Sequence, residues 1–220
     1  MVSGTHLAQL EDTVTAATLD DMQTRKGAPR VAQGRDDISV IETTDTTAER
    51  SVARFAWAAA RISTGFVFLW AFFDKFLALG YATGVDRETG AIDRLGDAAW
   101  INGGSPTTGF LSGATGPFKG VFDGLASAAW VDWLFMAGLL AIGVALVLGI
   151  GMRIAAATGA LLLVFMWMAS LPLDNNPFMD SHLVYAMVLI GLAAAHAGDT
   201  LGFGRLWART PLVRQHPTLR

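Results

Sequence analysis

The sequence predicts an all-α membrane protein: a four-transmembrane-helix bundle with two short helices in a long extracytoplasmic loop between the first two spans. Two observations lead to this fold class. Hydrophobic residues make up 52% of the chain, and they concentrate in four long stretches that are almost free of charge. A helix needs about 20 apolar residues to cross the hydrocarbon core, and each stretch is close to that length.

The four predicted spans differ in how they begin and end. Arg61 is the one charge well inside the first span, and Arg153 alone separates the second from the third, which predicts a tight hairpin. Gly198 and Asp199 close the fourth. Helices are expected because they satisfy their own backbone hydrogen bonds in lipid. The predicted spans cover about residues 53–76, 131–152, 154–173 and 181–198.

Basic residues predict the orientation of the membrane domain, residues 51–209. Arg50 and Arg54 precede the first span and Arg205 and Arg209 follow the fourth, whereas the loop between the third and fourth spans has no Lys or Arg. Cytoplasmic flanks carry the excess of Lys and Arg. We therefore expect a multi-pass protein of the plasma (inner) membrane with both termini in the cytoplasm, including a C-terminal tail over residues 210–220.

Residues 1–50 differ in composition from the rest of the chain. They contain nine acidic and five basic residues and no aromatic residue. Such a segment buries too little apolar surface to offset its ordering entropy, which predicts a disordered cytoplasmic tail. Thr43 and Thr44 stand among acidic residues and are candidate phosphorylation sites; the alternative is a plain solvated linker.

The loop between the first two spans, about residues 81–130, is too long for a simple connection. Ser105 followed by Pro106 has the pattern of a helix start, with Ser as the N-cap and Pro in the first turn. Gly116-Pro117-Phe118 resembles a second start. Two short helices on the outer face of the bundle are therefore predicted, and an ordinary exposed loop is the alternative.

Composition limits the chemistry of the chain. It has no cysteine, which excludes thiol nucleophiles, disulfides and iron–sulfur clusters. The net charge is −3, with no basic block, so a nucleic-acid partner is not expected. The histidines lack partners at the same depth on other spans, so we expect neither metal nor haem, and no covalent cofactor. Redox chemistry would need an organic cofactor, a membrane quinone or a partner subunit.

Polar residues within two spans follow helical spacing. Arg61, Gly65, Phe68 and Lys75 form one stripe on the first span, and the fourth span carries a similar stripe: His182, Tyr185, Leu189 and His196. Ionisable residues within membrane spans often mark functional sites. Since the two spans run in opposite directions, an outer cluster of candidate catalytic residues is predicted: Lys75, His182, Asp180 and Asp74.

Each member of these stripes also has a structural interpretation. Asp180 could cap the helix that follows it, and Lys75 could extend to the lipid headgroups. Arg61 could form a structural ion pair facing the bundle. His182 at a helix end could be structural as well.

Short motifs in the first span and in the hairpin carry a resemblance to a known family. The run Arg61-Ile-Ser-Thr-Gly65-Phe-Val-Phe68, with Lys75 closing the span, and the Gly-rich turn ending in Arg153 resemble the DoxX/DoxD family of integral membrane proteins. Further motifs resemble the branch related to the large subunit of thiosulfate:quinone oxidoreductase: 105–111, 116–118, 175–183 and 198–202. The resemblance covers residues 53–214.

The resemblance implies a four-helix membrane bundle and, in one branch, oxidation of thiosulfate to tetrathionate with electrons passed to a membrane quinone. Lys75 would attract the anionic thiosulfate and His182 would accept a proton. The candidate residues for binding quinone or substrate are Arg61, Phe68, Trp70, Phe110 and Phe118.

A second function stays open beside the quinone-linked oxidoreductase. Small residues are frequent in the spans and favour close helix packing, within the chain or with a neighbour. The chain would then be a non-catalytic accessory or assembly subunit of a larger respiratory or membrane complex, or a homo-oligomer. In both cases the lipid bilayer is a partner.

Overall fold

A computed structural model describes residues 33–220 except Arg87, Ser127 and Asn175, and for residues 33–48 it describes the backbone only. The chain divides into two compact units, Met1–Arg50 and Ser51–Arg220. The predicted disordered tail falls mostly outside the described residues, and the backbone of its described part, from Gln33, is helical. The side chains of Thr43 and Thr44 also lie outside what is described.

The described part of the chain is helical and contains no strand beyond one isolated antiparallel bridge between Val85 and Ile92. Short 3-10 turns cover Trp100–Asn102, Ala197–Asp199 and Pro217–Leu219. The α-helices are α1 Gln33–Leu77, α2 Thr108–Ser112, α3 Lys119–Leu125, α4 Ala129–Leu148, α5 Met152–Ala169, α6 Ser181–Ala194, α7 Gly204–Trp207 and α8 Pro211–Gln215.

Three helical segments are long and apolar enough to cross a membrane: Glu49–Leu77 of α1, α4 and α5. The structure thus confirms an all-helical protein with membrane-type helices. The fourth apolar helix, α6, has 14 residues, or about 21 Å at 1.5 Å per residue. That is shorter than the roughly 30 Å hydrocarbon core, so α6 alone does not establish a fourth crossing.

The turn between α4 and α5 lies earlier than predicted. Gly149 and Gly151 adopt φ angles of +73° and +57°, a left-handed conformation that glycine adopts without steric cost and that ends α4. The prediction that Arg153 alone forms the turn was wrong, because Arg153 lies in the first turn of α5. A charged residue can continue a helix, whereas a left-handed glycine such as Gly149 ends it.

Two other helix ends also come earlier than predicted. α5 ends at Ala169 rather than at residue 173, shortly before Pro172, which cannot continue a helix. α6 ends at Ala194 rather than at residue 198. His196 then adopts a φ of +50° outside the helix, so its predicted place on one stripe with His182 was wrong.

The main core lies between α1, α4, α5 and α6. Of the stripe predicted on α1, Arg61, Gly65 and Phe68 are buried and Lys75 is half-buried. Gly65 allows α1 to approach α4 closely, since a Cβ there would lie 3.0 Å from the Val147 nitrogen. Other buried core residues are Phe72, Met136, Leu139, Ile142, Leu146, Leu163, Leu189 and Leu192.

The loop after α1 contributes a second, smaller core. Leu111 of α2 and Phe122 of α3 pack with Ala169 at the end of α5. Asp132 in the first turn of α4 holds the start of this segment, since its Oδ1 accepts hydrogen bonds from the Ser105 hydroxyl at 2.9 Å and the Thr107 hydroxyl at 2.6 Å. The segment therefore covers the end of α5 opposite the α4–α5 turn.

Candidate functional site

Asp74, near the C-terminal end of α1, is almost fully buried, with 2% of its surface exposed. Its carboxylate accepts three backbone N–H hydrogen bonds, from Tyr81 at 3.2 Å and from Ala82 and Thr83 at 3.0 Å each. A buried carboxylate needs such partners to offset its loss of hydration. Asp74 thus fixes the path of the chain as it leaves α1.

Lys75 is half-buried, and the described residues provide no hydrogen bond or ion pair to its ammonium group. The next residue, Phe76, belongs to a run of neighbouring rings. Its ring centroid lies 5.4 Å from that of Phe72 and 6.0 Å from that of Trp100, which lies 4.7 Å from Trp133. Lys75 is therefore the member of the predicted cluster with no hydrogen-bond or ion-pair partner among the described residues.

Asp180 and His182 interact with each other at the start of α6. The Asp180 Oδ2 lies 2.5 Å from the His182 Nδ1, and Oδ1 accepts the Leu183 N–H at 3.1 Å. Asp180 is therefore the N-cap of α6, the structural alternative raised from the sequence. Partial burial opposes its ionisation, but the hydrogen bonds from His182 and Leu183 outweigh this and lower the pKa of the Asp180 carboxyl.

The predicted outer cluster does not stay together in the described structure: Asp180 and His182 form a pair, whereas Asp74 and Lys75 lie apart from that pair. Hydrogen bonds join Asp180 to His182, and Asp74 to the turn after α1. Within residues 49–220, excluding the three undescribed positions, no hydrogen bond or ion pair links Lys75 or Asp74 to the Asp180–His182 pair. A shared catalytic site for the four residues stays a prediction.

Arg61 is fully buried, and its guanidinium donates to four backbone carbonyls. Nη1 donates to Leu146 and to Val147, the latter at 2.8 Å. Nη2 donates to Thr200 at 3.3 Å and Leu201 at 2.7 Å. The structural alternative for Arg61 was an ion pair, but in the described part of the chain its partners are carbonyl oxygens and no carboxylate is paired with it.

The carbonyls at the C-terminal end of α4 explain why a cation is favourable at position 61. The last carbonyls of a helix have no intrahelical donor, and the C-terminal end carries a partial negative charge. Arg61 satisfies two such carbonyls of α4, while the Phe203 N–H donates to that of Leu148 at 2.8 Å. A Cβ at Gly149 would lie 3.0 Å from Arg61 Nη1, so the glycine turn also leaves room for the guanidinium.

The aromatic candidates for quinone or substrate binding lie in different places. Phe68 is in the main core, and Phe118 packs against the second core. Trp70 is exposed on α1, next to Tyr81 with centroids 5.0 Å apart, and Phe110 is exposed on α2. No pair among these four and Arg61 forms a described aromatic or polar contact.

A cleft near the start of the membrane-type segment of α1, Glu49–Leu77, was missed by the sequence reasoning. Its volume is about 410 Å³, and its lining includes Arg54 and Trp57 of α1, His196 and Asp199 after α6, and Arg205 of α7. From the sequence, these arginines were interpreted only as determinants of orientation. Their spacing gave no signal that a turn after α6 would bring Arg205 beside Arg54.

The segment after α7 folds against this end of the membrane unit. The Trp207 Nε1 donates to the Leu219 carbonyl at 2.7 Å, and Arg220 pairs with Asp199 at 2.6 Å. The backbone N–H of Arg153 donates to the Arg220 carbonyl at 3.0 Å. Residues 210–220, predicted as a tail, therefore make ordered contacts with Arg153 in the first turn of α5.

Comparisons with models of protein families, with curated proteins and with solved structures gave no match to this chain. The resemblance to the DoxX/DoxD family therefore stays a prediction.

Proposed function

We propose that the chain is a four-span protein of the plasma membrane that acts as a non-catalytic accessory or assembly subunit of a larger membrane complex. The observation that supports this proposal is that most of its candidate site residues make hydrogen bonds within the fold. Asp74 holds a turn, Asp180 caps α6 and binds His182, and Arg61 caps α4. A catalytic acid, base or anion-binding group must be able to reach substrate, and these groups are engaged within the fold.

The contacts of Arg61 support a fourth crossing. Its guanidinium binds Val147 at the end of α4 and Leu201 beyond α6. The end of α4 and the segment after α6 therefore lie at the same end of the helix bundle. The chain runs away from this end through α5 and returns to it through α6 and the turn that follows. Since α5 is long enough to cross a membrane, the return path covers the same depth in the opposite direction.

The absence of cysteine from the sequence allows a clean test of topology. Single-cysteine variants Thr89→Cys, Asn176→Cys and Arg209→Cys place one thiol in each exposed region. With a membrane-impermeant maleimide on intact cells, we expect labelling at positions 89 and 176, and labelling at 209 only after permeabilisation. Labelling of 176 and 209 from the same side would show three spans instead.

Purification in mild detergent together with native neighbours tests the subunit role. We expect the chain to co-purify with other membrane proteins and its deletion to lower the amount of the assembled complex. A Lys75→Ala/His182→Ala variant should support assembly as the unaltered chain does. Recovery of the chain alone, with complex levels unaffected by its deletion, would contradict the proposal.

A quinone-linked thiosulfate oxidoreductase is the second candidate, and Lys75 favours it. This half-buried cation makes no hydrogen bond or ion pair with the described residues. It directly precedes Phe76, which stacks on Phe72 in a run of aromatic rings. A quinone ring could stack on this run. Purified protein would be mixed with thiosulfate and a short-chain quinone while quinone reduction is followed by absorbance. Reduction that is lost in Lys75→Ala but kept in Lys119→Ala, an exposed lysine on α3, would establish this function instead.

A further inference from the structure

The cleft beside α1 carries an inference that does not depend on the subunit role. Two separate parts of the membrane unit form its walls: one turn of α1, with Arg54 and Trp57, and the segment from residue 195 to Arg205. Its volume of about 410 Å³ falls in the range of roughly 300–1,000 Å³ typical of small-molecule sites.

The charge of the cleft is positive. Arg54 and Arg205 are both exposed, and the described residues give neither a carboxylate partner. The one acid in the lining, Asp199, is paired with Arg220 at 2.6 Å, so its charge is already compensated. Two free guanidinium groups facing one cleft favour a phosphate, because each can donate two parallel hydrogen bonds to its oxygens.

The level of the cleft indicates which phosphate it meets. Trp57 lies one helical turn before Arg61, which binds the carbonyls at the end of α4, so the cleft lies where a membrane-type helix ends. Tryptophan prefers the boundary between acyl chains and headgroups. The wall also includes the small apolar residues Ala53, Ala195 and Ala197, which suit the glycerol and upper acyl region of a lipid better than a free ion.

We propose that this cleft binds the phosphate headgroup of an anionic phospholipid. Arg54 and Arg205 bind the phosphate, and Trp57 packs beside the glycerol and the first acyl carbons. The exposed ring of His196 lies in the wall of the same cleft. Basic pockets between membrane helices are known to suit anionic headgroups, and here the positive-inside arginines have a specific ligand as well as a role in orientation.

Native mass spectrometry of the full chain in a neutral detergent tests the proposal. Phosphatidylglycerol or phosphatidylcholine of equal chain length is added, and the lipid-bound fraction is measured. We expect wild-type protein to retain phosphatidylglycerol preferentially. The Arg54→Gln/Arg205→Gln variant should lose about tenfold in affinity, on the order of 1.4 kcal/mol, whereas Arg209→Gln, an exposed arginine outside the lining, should bind as wild type does.

Three results would overturn the proposal. These are equal retention of the two lipids by wild-type protein, equal losses in the double variant and in Arg209→Gln, and displacement of the lipid by inorganic phosphate at equimolar concentration. The last result would identify a site for a soluble anion. Because both arginines are exposed, the variants are expected to fold, and a melting temperature unchanged from wild type verifies this.

A measurement on wild-type protein alone supplements the variants. Retention of phosphatidylglycerol should fall as ionic strength rises, since exposed charges are screened by salt. Retention that does not change between low and high salt would contradict recognition by Arg54 and Arg205.

Discussion

The two buried charges of α1 stabilise the molecule in different ways. Asp74 binds backbone amides seven to nine residues further along the chain. Arg61 binds carbonyls 85 to 140 residues away, in two separate segments. Removing Asp74 should therefore disturb one turn, whereas removing Arg61 should loosen the packing of α1, α4 and the chain beyond α6 together.

Arg61→Met gives the largest expected effect. It retains much of the side-chain volume but removes the guanidinium that donates to four carbonyls, of which that of Leu146 is buried and the other three are partly buried. A buried acceptor left without its donor costs about 1–3 kcal/mol, so we expect a total loss of roughly 3–5 kcal/mol for the four carbonyls. Thermal unfolding in detergent measures it, with Arg209→Met as the exposed control. A melting temperature close to wild type would show that Arg61 does not hold the three segments together.

Gly149→Ala tests the same contact between Arg61 and the end of α4, here by a change in α4's C-cap residue. A Cβ at Gly149 would lie 2.9 Å from the Gly198 Cα and 3.0 Å from Arg61 Nη1, whereas Gly151, also left-handed, has no atom within 4 Å of an added Cβ. Gly151→Ala should cost about 1–2 kcal/mol through backbone strain. Gly149→Ala should cost roughly 1–3 kcal/mol more through overpacking. Equal melting temperatures for the two variants would contradict this difference.

Asp74→Asn should have a smaller and more local effect. An amide oxygen replaces a carboxylate that accepts three hydrogen bonds, and the expected cost is about 1–2 kcal/mol. Hydrogen exchange should accelerate at the amides of Tyr81, Ala82 and Thr83 while the end of α4 stays protected. Acceleration at Val147 in this variant would contradict the expected difference between the local role of Asp74 and the wider role of Arg61.

Asp180→Ala should have the smallest effect, about 1 kcal/mol, because it removes one N-cap. Since the folded pKa of Asp180 is lowered, its ionisation stabilises the fold above the ordinary carboxyl pKa of about 3.9. That contribution is lost as pH falls through the lowered value. The difference in stability between wild type and Asp180→Ala should therefore shrink in acid. Asp123→Ala, which breaks an exposed pair with Lys119, should show almost no effect at any pH.

Helical periodicity accounts for the parts of the fold that the sequence predicted well. The length of the apolar stretches predicted α4 and α5. Helical spacing placed Arg61, Gly65, Phe68 and Lys75 on one stripe of α1, and in the structure the first three are buried and Lys75 is half-buried. The helix ends were predicted less well. At the α4–α5 turn the positive charge of Arg153 was used as the marker, while the backbone conformation of Gly149 and Gly151 determined the end of α4.

The partners of Arg61 could not be predicted from side-chain patterns. Its acceptors are backbone carbonyls, which every residue has, and they become available only because α4 ends at Leu148. The cleft lined by Arg54 and Arg205 was missed for a related reason: it depends on the left-handed His196 ending the helical path after α6. The spacing of residues in the sequence does not predict the direction of the chain after such a turn.

The hydrogen bonds of Arg61 also constrain how the protein is made. The first carbonyl acceptor of Arg61 is synthesised 85 residues after it, and the last 140 residues after it. At roughly 5–20 residues per second, several seconds pass after the synthesis of Arg61 before the first of these acceptors exists. During that interval the guanidinium has none of these acceptors, so Arg61 can reach its final contacts only after Leu201 has been synthesised.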